Sequence, residues 1–245
     1  MPSVRSIAYL NVFQELGVWP SEVVIIPVGI PGLDKLMEED KLFRYSDAFF
    51  RIDPDLINSI EHTGATVIKA KSSDINDEEI QACLHQCSNK YFLFTGGGIL
   101  SEHMFMLGKT FIHLHPGSIP EYRGSTCFYY SILTENTLGS TAIIMDKNID
   151  TGPNIAASKF CINYLIKPEQ PLFVDYIIDP YIRSYTLKKV LQKYSAENRI
   201  EICPSQHKEG NAYFIMHPLL RHLAVIRINT LYDPNKPSGI FEINQ

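Results

Sequence analysis

The sequence predicts an α/β protein with a mostly parallel sheet flanked by helices. Three observations carry that prediction. Short apolar runs recur at 23–29, 64–70, 91–94, 110–115 and 140–145, with helix-compatible segments between several of them. The run VVIIPVG at 23–29 is continuous rather than alternating, which suits a strand covered on both faces of a parallel sheet. Two runs end in turn-forming residues, TGGG at 95–98 and PG at 116–117, where open α/β sheets gather their chemistry.

Taken in order, residues 6–17 carry Ile7, Leu10, Val12, Phe13 and Leu16 at helical spacing, with Gly17 at the C-cap position. Pro20 and Ser21 end that helix, and 23–29 follows as the first strand. Residues 30–60 are weakly patterned, with a short helix after Pro54. The run 64–70 is a second strand. The stretch 74–86 reads as a helix with Asn76 as N-cap and Glu79 three residues on, a capping-box pattern. Residues 91–94 form a third strand, 102–107 a short helix, and TFIHLH at 110–115 a strand stopped by Pro116-Gly117. A helix from 127 and a strand, STAIIM, at 140–145 come next. Beyond Ile155 the pattern changes. Residues 175–194 read as one helix interrupted near Pro180, and 213–228 as an apolar stretch carrying His217, Arg221, His222 and Arg227. A soft boundary falls near 160. The Pro- and Asn-rich tail from Asp233 reads as partly disordered.

With 245 residues and 45% hydrophobic content, the chain can bury a full core. A net charge of −5 argues against a nucleic-acid surface, whose usual footprint is basic. No apolar run approaches the roughly 20 residues of a membrane helix, and the first residues lack a signal-peptide core, so the expected location is cytoplasmic. Five cysteines, Cys83, Cys87, Cys127, Cys161 and Cys203, show no paired spacing; packing roles are expected.

The candidate chemistry sits in FIHLHPGSIPEYRG, residues 111–124. Strand alternation puts His113 and His115 on one face, at the strand's C-terminal end. The turn DKNIDTG at 146–152 adds Asp146 and Asp150. A carboxylate there could orient an imidazole and raise its basicity, or could simply cap its own turn. His113, His115 and one of the two aspartates could also hold a metal such as zinc, although no third histidine stands at ligand spacing. The glycines at 96–98 would let a ligand approach the backbone, but the spacing is not that of a phosphate loop.

The order GGGIL, then HLHPGSIPEYRG, then IMDKNIDTG resembles the catalytic domain of the folate-dependent formyltransferases. That family includes the methionyl-tRNA, glycinamide ribonucleotide and sugar N-formyltransferases. The resemblance covers roughly 60–160. His115 matches the family histidine, 119–124 its Leu-Pro-x-Tyr-Arg-Gly segment, and Asp150 its catalytic aspartate. His113 stands where the family has asparagine. The family also opens on a strand and a glycine loop, whereas this sequence opens on a helix; the sheet edge so exposed could be covered by a partner chain, as in a homodimer.

The resemblance implies a Rossmann-like formyltransferase fold over 1–160, with a small, partly helical C-terminal extension over 161–245. It implies formyl transfer from N10-formyltetrahydrofolate to a primary amine, with neither nucleic acid nor membrane as partner. His113, His115 and Asp150 would be catalytic. Gly96, Gly97, Gly98, Ile99, Leu100, Asp146 and Asp150 would line the folate site, and the Ile119-Pro120 peptide could be cis. In build the chain is nearest the sugar N-formyltransferases, which makes a nucleotide-linked amino sugar the expected acceptor. A metal-dependent hydrolase built on His113, His115 and Asp150 and a degenerate folate-binding relative are the alternatives.

Overall fold

The computed structural model describes residues 3–27, 29–96, 98–203 and 210–243. They fall into two compact units. One comprises Met1–His113 with Ile144–Asn148; the other comprises Leu114–Ile143 with Ile149–Gln245. The expected α/β architecture is borne out.

In the first unit, α1 (Val4–Leu16) starts at Ser3, whose hydroxyl accepts from the Ser6 amide, and ends at Gly17 as expected. Strand β1 (Glu22–Ile25) pairs in parallel with β2 (Thr66–Lys69). Between them lie α2 (Leu33–Phe43), α3 (Tyr45–Ala48), α4 (Asp55–Ser59) and a 3-10 turn (Ile60–His62). Helix α5 (Glu78–Gln86) follows, then β3 (Tyr91–Leu93), α6 (Glu102–Phe105) and β4 (Thr110–His115), which pairs in parallel with β3. Two apolar clusters back these strands. Ile26, Ile80, Leu84, Phe94, Leu100, Met104 and Phe111 form one; Ile7, Leu10, Leu56 and Ile60 form the other.

Three expectations change here. The N-cap of α5 is Asp77, which accepts from the Glu79 amide at 2.8 Å. Asn76 is drawn instead to the 99–101 segment, donating to the Ile99 carbonyl and accepting from the Ser101 amide. The Glu79 carboxylate turns back to the Lys71 and Ser72 amides. The continuous run at 23–29 gives a half-buried strand, not one covered on both faces. The reason is pairing: among the described residues β1 pairs with β2 alone and β3 with β4 alone. A cavity of about 170 Å³ opens between β1 and β3, floored by Tyr9, Leu10 and Phe13 of α1. The Glu22 carboxylate ties the foot of the two strands together by accepting from the Ser88 and Asn89 amides.

In the second unit, β5 (Tyr122–Gly124) pairs in parallel with β8 (Asn211–Tyr213). Helix α7 (Cys127–Glu135) leads into β6 (Leu138–Ile144), which pairs antiparallel with β7 (Asn154–Asn163). A π-helical turn (Val174–Ile178) runs into α8 (Asp179–Glu197), with Pro180 at the start of the α-helix, so the interruption expected there is present. Helix α9 (Pro218–Leu231) and β9 (Gly239–Glu242) complete the unit. The tail read as partly disordered is structured as far as residue 243, the last one described. β9 pairs antiparallel with β7, and the Asn163 amide donates to the carbonyls of Asp233, Lys236 and Pro237, fixing the Pro-rich approach. Strand β7 runs through residue 160.

Candidate functional site

The chemistry-bearing residues of the second unit are set by the end of β4 and the turn after it. His115 is buried, and both its ring nitrogens are engaged. Nε2 lies 2.8 Å from the Tyr122 carbonyl, which can only accept, so Nε2 carries hydrogen. Nδ1 lies 3.2 Å from Asp150 Oδ2. A hydrogen bond there needs one proton, held by either the ring or the carboxyl. The same Oδ2 accepts from the Gly124 amide at 2.9 Å. Asp150 thus joins the His115 ring to the backbone of the 122–124 strand. It adopts a left-handed conformation, φ 52°, and reaches back to His115. Its side chain is 13% exposed against 1% for His115, so the carboxylate is the more accessible end of the pair.

Two glycines make this arrangement fit. A Cβ on Gly117 would stand 2.7 Å from both His115 Nε2 and the Tyr122 carbonyl oxygen. A Cβ on Gly124 would press on Tyr213 of the paired strand β8, and its φ of 96° also favours glycine. The Ile119-Pro120 peptide between them is cis. Tyr122 anchors the segment further: its hydroxyl contacts Thr134 at 2.6 Å and donates to Glu135 at 2.8 Å. Burial pushes the Tyr122 phenol up to about 12, so the ring stays neutral. Burial, with the Asp150 charge adding to it, also pushes the Cys127 thiol up to about 12, which favours the protonated thiol.

A second buried pair holds the strand from the other side. The Arg183 guanidinium meets Asp179 at 2.7 Å, one helical turn earlier in α8, and donates to the Leu114 carbonyl in β4. Sequence reading missed this pair, although an Asp and an Arg four apart in a helix are the signal that would have found it.

The remaining expected residues lie in the first unit. His113 sits on β4 two residues before His115, its ring 6.1 Å from that of Phe94. Gly96 and Gly98 flank Gly97, which lies outside the described residues. The Gly96 carbonyl accepts from Arg5, and Ile99 is exposed while Leu100 is buried. Met145, the residue before Asp146, packs on the cluster that contains Leu100 and Phe94. Asp146 accepts from the Asn148 amide, the turn chemistry weighed for this segment. A metal at His115 would have to displace one of its two present hydrogen bonds. Of the cations at 217–222, Arg221 donates to the Met216 carbonyl and pairs with Asp175, His217 caps α9, and His222 is exposed.

The fold is that of the formyltransferases. Two solved structures carry the comparison. Phosphoribosylglycinamide formyltransferase from Anaplasma phagocytophilum superposes with a TM-score of 0.52 at 16% identity, covering 86% of this chain and 96% of that one. Methionyl-tRNA formyltransferase from Clostridium thermocellum gives 0.50 at 14% identity, covering 85% and 82%. In sequence, the chain is 31% identical over 86 residues to the methionyl-tRNA formyltransferase of a Nitratiruptor species. That match takes in 34% of this chain and 28% of the relative's length. No protein-family model matches the chain.

Proposed function

We propose that the protein transfers a formyl group from N10-formyltetrahydrofolate to a primary amine. The observation that carries the reading is the His115–Asp150 pair, with Asp150 also held by the Gly124 amide. The amine nitrogen attacks the formyl carbon, the carbon–N10 bond breaks, and the proton lost by the amine ends on N10. Asp150, the more accessible member, meets the attacking amine, and His115 supplies or stores the shared proton behind it. His113 takes the role of the family asparagine as a donor to the formyl oxygen, a contribution of about 3 kcal/mol. The backbone from Gly96 to Leu100 and Asp146 hold the pterin.

For the acceptor, the reading retained is the amine of a nucleotide-linked amino sugar; the net charge of −5 is unfavourable to a polyanion such as tRNA. The test is release of tetrahydrofolate in the presence of a panel of amino-sugar nucleotides, glycinamide ribonucleotide and methionyl-tRNA. Turnover with either of the last two alone overturns the acceptor and keeps the reaction. Donor binding with no turnover on any amine overturns the reaction. His115→Ala and Asp150→Asn should each lower kcat/KM by about 10³-fold or more with donor binding retained, and His113→Asn should be tolerated. An Asp150→Asn enzyme that keeps most of its rate removes Asp150 from the mechanism.

A further inference from the structure

Helix α9 is amphipathic the wrong way round for a solvent-bathed helix. Ala224 and Ile228 are buried, and the helix packs on α7. On the far side Leu219, Leu223 and Ile226 follow one another at i, i+4 and i+7, each 43–62% exposed, with Leu220 and Leu231 flanking them. Immediately before the helix, Phe214 is 87% and Ile215 72% exposed. The helix cannot rotate to hide these residues. Arg227 bonds Asn136 at 2.6 Å, Asn229 brackets both the amide and the carbonyl of Ile166, and Arg221 is held by Met216 and Asp175. The backbone of the 213–216 segment is equally fixed, by Ser125, Tyr130 and Thr126 of the α7 end.

We propose that this face is the contact between two copies of the chain, joined by antiparallel packing of α9 on its twofold-related partner and crossing at Leu223. Three arguments select a second copy. The exposed residues present on the order of 700 Å², close to the roughly 800 Å² per partner of a stable interface and beyond the patches usual on monomers. The helix carries no acidic residue, and a twofold through Leu223 places Arg227 opposite Leu219, so no like charges face and the helix dipoles oppose. An anionic membrane is the weaker fit. Arg221 is already paired with Asp175, which leaves His222 and Arg227, short of the four to eight basic residues such surfaces attract.

Sedimentation equilibrium on the full chain tests this. The expected mass is that of two 27.9 kDa chains at micromolar concentration. Leu219→Glu with Leu223→Glu should raise the dissociation constant by about 100-fold or more while the circular-dichroism melt is retained, because both side chains are exposed. In a Cys161→Ser background, Leu223→Cys should form an intermolecular disulfide on oxidation, whereas Leu42→Cys, on an exposed site of α2, should not. A monomer at 100 µM overturns the proposal, and so does a dimer untouched by the double substitution. A monomer that binds phosphatidylserine vesicles through Leu219 and Leu223 assigns the face to a membrane and overturns it equally.

Discussion

The two units solve the problem of sheet building differently. In the first, β1 and β3 each pair along one edge among the described residues, and an apolar cavity separates them. In the second, β7 is paired along both edges, with β6 on one side and β9 on the other, and its flank is closed by α8. Each unit also holds buried titratable partners; in the first, the buried Glu39 carboxylate accepts from the Tyr45 hydroxyl at 3.1 Å. His115–Asp150 and Arg183–Asp179 both lie in the second unit, where the backbone around them is fixed.

The largest effect that would sharpen this contrast is loss of Arg183. Arg183→Met strips buried Asp179 of its cation and β4 of its carbonyl partner, and should cost about 3–5 kcal/mol of stability. Replacing both partners, Asp179→Leu with Arg183→Met, should recover part of that loss, since no buried charge then remains. Chemical denaturation of the three proteins reads both values. If Arg183→Met costs under about 1 kcal/mol, the pair does not brace the site strand.

A smaller effect compares packing directly. Leu114 is fully buried in the second unit, and Leu114→Ala should cost about 2–5 kcal/mol. Leu10 is also buried, but it lines the cavity between β1 and β3, so part of what its side chain would lose is already missing. Leu10→Ala should cost about 1–2 kcal/mol. Equal costs would mean that the first unit is packed as tightly as the second and would remove the contrast.

Much of this was legible in the sequence, for physical reasons that differ by residue. The strand 110–115 was readable because its stop, Pro116-Gly117, is local chemistry. The α1 stop at Gly17 and the break near Pro180 were readable for the same reason. That Asp150 meets His115 followed from the family resemblance, because 35 residues separate them and no periodicity links them. The Tyr122 carbonyl and Gly124 amide are backbone atoms, which no side-chain pattern announces. Strand β9 was hidden because what fixes it is Asn163, seventy residues upstream of Asp233, and not its own Pro- and Asn-rich approach. The Asn76 cap failed by one residue because a tertiary demand, the Ile99 and Ser101 backbone, outweighed a local one.

The smallest expected effect concerns the foot of the cavity. The Ser88 amide, joined by Asn89, holds the Glu22 carboxyl below its ordinary value of 4.5 against the opposing effect of burial. A carboxyl whose folded-state pKa lies below the unfolded one stabilises the fold above the unfolded value. That contribution is lost as the pH falls through the lowered folded value. Glu22→Gln should therefore melt below the wild type at pH 7, and the two curves should converge as the pH falls through the lowered Glu22 value. Melts of both proteins from pH 3 to 8 give the difference. Convergence on lowering the pH identifies Glu22 as the clamp that keeps β1 and β3 in register across a gap they do not bridge by backbone pairing. A constant difference would assign the effect to lost packing of the side chain, and the first unit would then owe its arrangement to the α1 floor alone.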